Sequence, residues 1–215
     1  MATIPLKPQY GPTLGRLLAP RWHAAPRVVR GATIAAGVGL VAFAVAVALT
    51  LLPARISYGG VAPFHFSYRG LYRTAPAPGE YVLVQRRAHG RLEDSFAVSP
   101  LRLPPYAGAL SGELPLYASG YIRELSARYA DFVLRGEGKT RVNTVPAYDV
   151  LYTARVQGRA MYGRDVLLLP ERQGQRDGVA IEMLAAKTAS PRIDAPVQVA
   201  LAGVLEKPLE TFTFG

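Results

Sequence analysis

The run GATIAAGVGLVAFAVAVALTLLPA, residues 31–54, carries no charged side chain over 24 residues. As a helix it extends about 36 Å, against a bilayer hydrocarbon core of about 30 Å. A stretch this long that is apolar all round has no polar stripe to turn toward water, which makes it a transmembrane candidate. The charge around it is asymmetric: Lys7, Arg16, Arg21, Arg27 and Arg30 precede the run, Arg55 follows it, and residues 1–55 hold no acidic group. The positive-inside rule then places residues 1–30 in the cytoplasm and the remainder outside. The leading region is long for a signal peptide and no A-x-A site follows, so the run reads as an uncleaved signal anchor with the lipid bilayer as its partner. Pro5, Pro8, Pro12, Pro20 and Pro26 exclude a long regular helix in the tail, while Trp22 and its neighbouring arginines suit the headgroup interface. Gly31, Ala35 and Gly39 recur at helical spacing, which permits a homo-oligomer through the transmembrane helix.

The net charge of +10 is not the footprint of a nucleic-acid binder. Residues 56–215 hold 19 basic and 15 acidic groups, a net of +4, so most of the excess flanks the membrane run and no nucleic-acid partner is expected. The basic residues are 21 Arg and 4 Lys, and alanine is abundant, a bias that points to a GC-rich genome. Half of the chain is hydrophobic, which excludes disorder, and the absence of cysteine excludes disulfides, thiolate catalysis and thiolate metal sites.

Residues 61–215 read as one extracytoplasmic domain, joined to the membrane run by a linker over 55–60. FHFSYRG (64–70) alternates as a half-buried strand, EYVLVQRR (80–87) is a second and RLEDSFAVSPLRL (91–103) contains a third. Residues 104–112, with two prolines and two glycines, read as loop. ELPLYASGYIRELSARYA (113–130) places Leu114, Ala118, Tyr121, Ile122, Leu125 and Tyr129 on one helical face, with Pro115 in its first turn. The tyrosines at this spacing are core residues. Three antiparallel strands follow, with Gln157-Gly158 as a tight turn and ERQGQRDG (171–178) as a second. Asp194 as cap, Pro196 in the first turn and an apolar stripe of Val197, Leu201, Val204 and Leu205 predict a closing helix. Strands, helix, strands, helix give an α+β domain: an antiparallel sheet packed by helices.

Several phrases resemble the PsbP-like superfamily, LpqN-type actinobacterial envelope proteins among its members. They are FHFSYRG as opening strand, TRVNTVPAYDVLYTARVQGR as polar turn and long strand, GRDVLLLPERQGQRDGVAIEMLAA as strand–turn–strand, and VALAGVLEKPLETFTF as terminal helix with an aromatic tail. The resemblance implies an α/β/α sandwich over nearly all of 60–215 and no shared catalytic residues. Where LpqN-type relatives use a lipidated cysteine, this chain would use its helix as anchor.

No motif for chemistry stands out. The three histidines, His23, His65 and His89, lie at no metal-ligand spacing, and neither a G-x-S-x-G elbow nor an H-E-x-x-H pair occurs. Glu93 and Asp94 are neighbours on a strand and so point to opposite faces. RGEGKT (135–140) has the tail of a P-loop, but the position five before Gly138 is Val133, so the segment reads as a glycine-rich turn. Arg69, Arg73, Arg86, Arg87 and Arg91 are a candidate basic surface for anionic polymer or lipid headgroups. The expectation is a non-enzymatic binding or assembly module without cofactor or metal, meeting another membrane or envelope protein or holding an envelope ligand. A hydrolase-like envelope enzyme is the alternative.

Overall fold

The computed structural model describes residues 26–103, 110–170 and 176–215. The proline-rich tail through Ala25 and residues 104–109 and 171–175, expected from the sequence as a loop and a turn, lie outside them. The chain divides into two compact units between Leu52 and Pro53.

The first unit contains helix α1 (Arg27–Leu51). Its described side chains are exposed as far as Val47, and the helix is long and apolar enough to cross a membrane. It starts earlier and ends earlier than the uncharged run. Pro53 explains the end, since a proline disfavours the helical conformation of the residue before it.

The second unit is built on two antiparallel sheets. β1 (Ala54–Tyr58), β2 (Phe64–Tyr68) and β10 (Thr213–Phe214) form a small sheet in the order β1-β2-β10. The stretch expected as a linker is therefore a strand through Tyr58: Ile56 pairs with Phe66 and is buried with it. The large sheet contains β3 (Tyr72–Thr74), β4 (Val82–Ala88), β5 (Arg91–Arg102), β6 (Ala130–Val142), β7 (Val145–Val156), β8 (Arg159–Leu168) and β9 (Asp177–Ala186), in the order β3-β4-β5-β9-β8-β7-β6. Helix α2 (Leu110–Arg128) joins β5 to β6.

Both faces of the large sheet are covered, which is why β9 at its centre is buried at almost every position. On one face Val179, Ile181 and Met183 pack with Phe64, Phe66, Phe96 and Phe212 from the small sheet, β5 and the C-terminal segment. On the other, Ala180, Leu184 and Ala186 pack with Leu114, Ala118, Tyr121 and Leu125 of α2. The α2 stripe is the one its periodicity predicts, and burying each leucine contributes about 1.5–3 kcal/mol. The helix begins earlier than expected, at Leu110, and ends at Arg128, so Tyr129 stands just beyond it.

Three local expectations give way. RGEGKT is strand: β6 runs through it, and the reversal comes at Asn143-Thr144, with Asn143 in the left-handed region at φ 53. Pairing along the length of β7 outweighs the turn preference of two glycines. The antiparallel run accordingly has four strands, β6 to β9, with Gln157 and Gly158 both at positive φ (51 and 77), the conformation of a tight hairpin turn. The closing segment is not one helix but two 3₁₀ turns, Pro196–Gln198 and Gly203–Leu205, followed by α3 (Glu206–Glu210). Ala200 at φ 64 interrupts it, Val197 and Leu201 face solvent, and Ala195 rather than Asp194 holds the N-cap position without a side-chain cap. Pro208 lies inside α3, in its first turn.

Candidate functional site

Between the C-terminal half of α2, the loop Ala77–Glu80 and the central strands β5 and β9 lies a groove of about 510 Å³. Tyr117, Tyr121, Glu124, Arg128 and Tyr129 line it from the helix side, and Ser99 and Glu182 from the sheet. The helical spacing of 117, 121, 124 and 128 sets these four on one side of α2. Glu182 follows from the strand period, since its neighbours Ile181 and Met183 point to the other face.

The polar groups here are tied to one another. Arg128 Nη1 donates to Glu182 Oε2 at 2.8 Å, and Ser99 Oγ donates to Glu182 Oε1 at 2.9 Å. The Arg128 guanidinium lies 5.9 Å from the Tyr129 ring centre. Beneath them β8 buries Asp165 completely. The hydroxyls of Tyr121 and Tyr152 donate to its two carboxylate oxygens at 2.9 and 3.1 Å, and the Met183 backbone bonds it as well. Burial pushes the Asp165 carboxyl well above the usual carboxylate range, and the charge of Glu182 pushes the same way, while the tyrosine hydrogen bonds oppose it. Burial and the neighbouring carboxylates also raise the phenols, Tyr129 to about 12 and Tyr121 and Tyr152 well above the usual range for a phenol, so all three are neutral at physiological pH.

Tyr152 is held from every side. Its ring stacks 5.9 Å from Tyr129 and packs tilted 5.2 Å from Phe132, and it lies over Gly163, its partner across β7 and β8. A Cβ on Gly163 would overlap the Tyr152 ring, so only glycine fits beneath it.

The five arginines of the candidate basic surface differ in their surroundings. Arg86 is bound to Asp94 at 2.6 Å and donates to the Ala189 carbonyl, serving a carboxylate that is only 2% exposed. Burial still raises the Asp94 carboxyl, with Arg86 opposing. Arg87 donates to the Gly90 carbonyl, Arg69 and Arg73 are exposed around β3, and Arg91 borders a shallow hollow of about 410 Å³ with His89, Glu93 and Arg159. Glu93 pairs with Arg159 at 2.6 Å, so the adjacent carboxylates serve different arginines. His65 lies within hydrogen-bond distance of Thr213, joining β2 to β10. Among the described residues no group of three or more His, Asp or Glu is placed to hold a metal ion.

The Asp165 network was not found from sequence. Its signal is the pair Arg164-Asp165 directly before the apolar end of β8, whose alternation places Asp165 with Leu167 in the core.

No protein-family model matches the chain, and no curated protein matches it. Solved structures do. The solution structure of cyanobacterial PsbP (CyanoP) from Synechocystis superposes with a TM-score of 0.51 over 76% of this chain and 92% of that one, at 12% identity. The fold is PsbP-like. Similar to this PsbP-like domain, too, are LpqN, involved in cell envelope biogenesis of Mycobacterium tuberculosis (TM-score 0.49, 9% identity, 75% of this chain and 90% of that one), and the Saccharomyces cerevisiae Ran-binding protein Mog1p (0.47, 12%, 76% and 95%). At these identities the likeness concerns the fold alone.

Proposed function

We propose that the chain is a single-pass membrane protein that presents its PsbP-like domain outside the cytoplasmic membrane as a non-enzymatic binding or assembly module. The observation that carries this reading is α1: 25 residues, apolar, with every described side chain exposed as far as Val47. A helix that exposes an apolar surface all round is satisfied by lipid and not by water. The basic tail before it and the positive-inside rule set the orientation.

The groove supports binding of a protein partner. Tyrosine and arginine are the side chains that most often carry the binding energy of protein interfaces, and Tyr117, Tyr121, Tyr129 and Arg128 converge there. Neither Asp165 nor Glu182, the acidic groups that β8 and β9 bring to the groove, is free to reach a substrate. Asp165 lies behind Tyr121 and Tyr152, and Glu182 is held by Ser99 and Arg128.

A photo-crosslinking phenylalanine in place of Tyr117 tests the partner-binding reading in the native membrane. A discrete crosslinked polypeptide is expected from this position. Val197, half exposed on the opposite face of the large sheet, is the control and is expected to give none. Absence of an adduct at Tyr117, or the same adducts from both positions, contradicts it.

A further inference from the structure

RGEGKT, which is neither a nucleotide loop nor a turn, sits in the terminal strand of the large sheet. β6 pairs with β7 on one side, and among the described residues no strand pairs with its other side. Bulges disturb its first half, between Ala130 and Val133 and between Leu134 and Gly136, while the register from Gly136 to Val142 is regular. In this regular part Glu137 and Lys139 are exposed and share the α2 face of the sheet, where Tyr148 donates to Glu137 at 3.3 Å. Gly136, Gly138 and Thr140 alternate onto the other face. An added Cβ on Gly138 would meet open space.

An unpaired edge of this length is ordinarily blunted by charge, proline or bulges. The regular half of β6 has neither proline nor bulge, and its charges are ordered for self-pairing. Antiparallel pairing with its own copy about Gly138 sets Glu137 of each chain opposite Lys139 of the other, on the same face, where opposite charges stabilise the pair. Gly136 then faces Thr140, with no bulk to obstruct the approach. The same register aligns Arg135 with Arg141, but the bulge turns Arg135 to the other face, where its Nε donates to Thr153 Oγ1 at 3.3 Å. The like charges do not confront each other.

We propose that β6 is a homodimer interface, joining two large sheets edge to edge through antiparallel β6–β6 pairing centred on Gly138. The occupant of the open edge is a second copy of this chain, selected by the two reciprocal Glu137–Lys139 pairs.

The chain has no cysteine, so Gly138→Cys in the full-length protein in detergent reports the contact directly. Directly opposed residues of antiparallel strands stand about 4.5–5.5 Å apart at Cα, within disulfide reach. Mild oxidation is expected to give a disulfide-linked dimer from Gly138→Cys and not from Val197→Cys. Adding Glu137→Lys lowers the yield by about tenfold, and adding Lys139→Glu does the same, because each places like charges across the interface. Mixing these two charge variants restores the crosslink as a heterodimer, since two lysines then face two glutamates. That rescue also shows both variants to be folded. A monomer from Gly138→Cys overturns the proposal. So does a yield indifferent to the charge reversals, the result of dimerisation through α1, and so does crosslinking to a different polypeptide.

Discussion

Gly163→Ala is expected to destabilise the PsbP-like domain by about 3 kcal/mol, at the upper end of overpacking costs. The new methyl would stand 2.7 Å from Cδ2 of Tyr152 and closer still to Cε2 and Cζ, inside any real contact distance. A ring at a loose surface would swing aside. This one is fully buried, packed against Tyr129 and Phe132, and anchored by its hydroxyl to Asp165. Relief requires either that β7 and β8 separate or that the Asp165 hydrogen bond breaks. In a domain of this size the loss lowers the thermal midpoint by about 10 °C, measured by circular dichroism. An unchanged midpoint would mean that Tyr152 has room to move, and the account of a rigid network behind the groove would fail.

Asp165→Asn addresses the same network through pH. The folded-state Asp165 carboxyl is raised above its value in the unfolded chain, chiefly by burial and next by the charge of Glu182. The folded protein therefore holds the Asp165 proton more tightly than the unfolded chain does. The stabilising contribution is complete below the ordinary carboxylate range and is lost as pH rises from there through the raised folded value. The slope within that window reaches about 1.4 kcal/mol per pH unit for one proton. The asparagine side chain keeps an acceptor and a donor for the tyrosines but takes up no proton. The stability of the natural chain relative to the Asp165→Asn variant is thus expected to fall as pH rises above the ordinary carboxylate range of about 4, read from urea unfolding at each pH. A flat difference, or one that rises with pH, would show that Asp165 is not held in its protonated form.

Both variants concern a site that patterning alone could not assemble. Two periodicities made the architecture legible. The 24-residue uncharged run becomes α1, and the stripe of Leu114, Ala118, Tyr121 and Leu125 becomes the buried face of α2. Alternation also places Phe64 and Phe66 inward from β2. Local signals failed where tertiary pairing or backbone strain decided the outcome. Gly136 and Gly138 resemble a turn until β7 supplies a partner, and the apolar spacing of residues 197–205 resembles a helix until Ala200 takes a left-handed conformation. Asp165 is silent for another reason: its partners Tyr121 and Tyr152 come from α2 and β7, 44 and 13 residues away in sequence. Likewise, Arg86 counted as free charge in the sequence is in the fold the partner of a buried Asp94.

The claim that a PsbP-like domain is displayed outside the membrane by α1 is tested most directly by cysteine accessibility in intact cells. Single cysteines replace Gln9, ahead of α1, and Val197, half exposed in the domain, in a chain that has no cysteine of its own. An impermeant maleimide is expected to label Val197→Cys in intact cells and to label Gln9→Cys only after the membrane is permeabilised. Labelling of Gln9→Cys with protection of Val197→Cys would contradict the account.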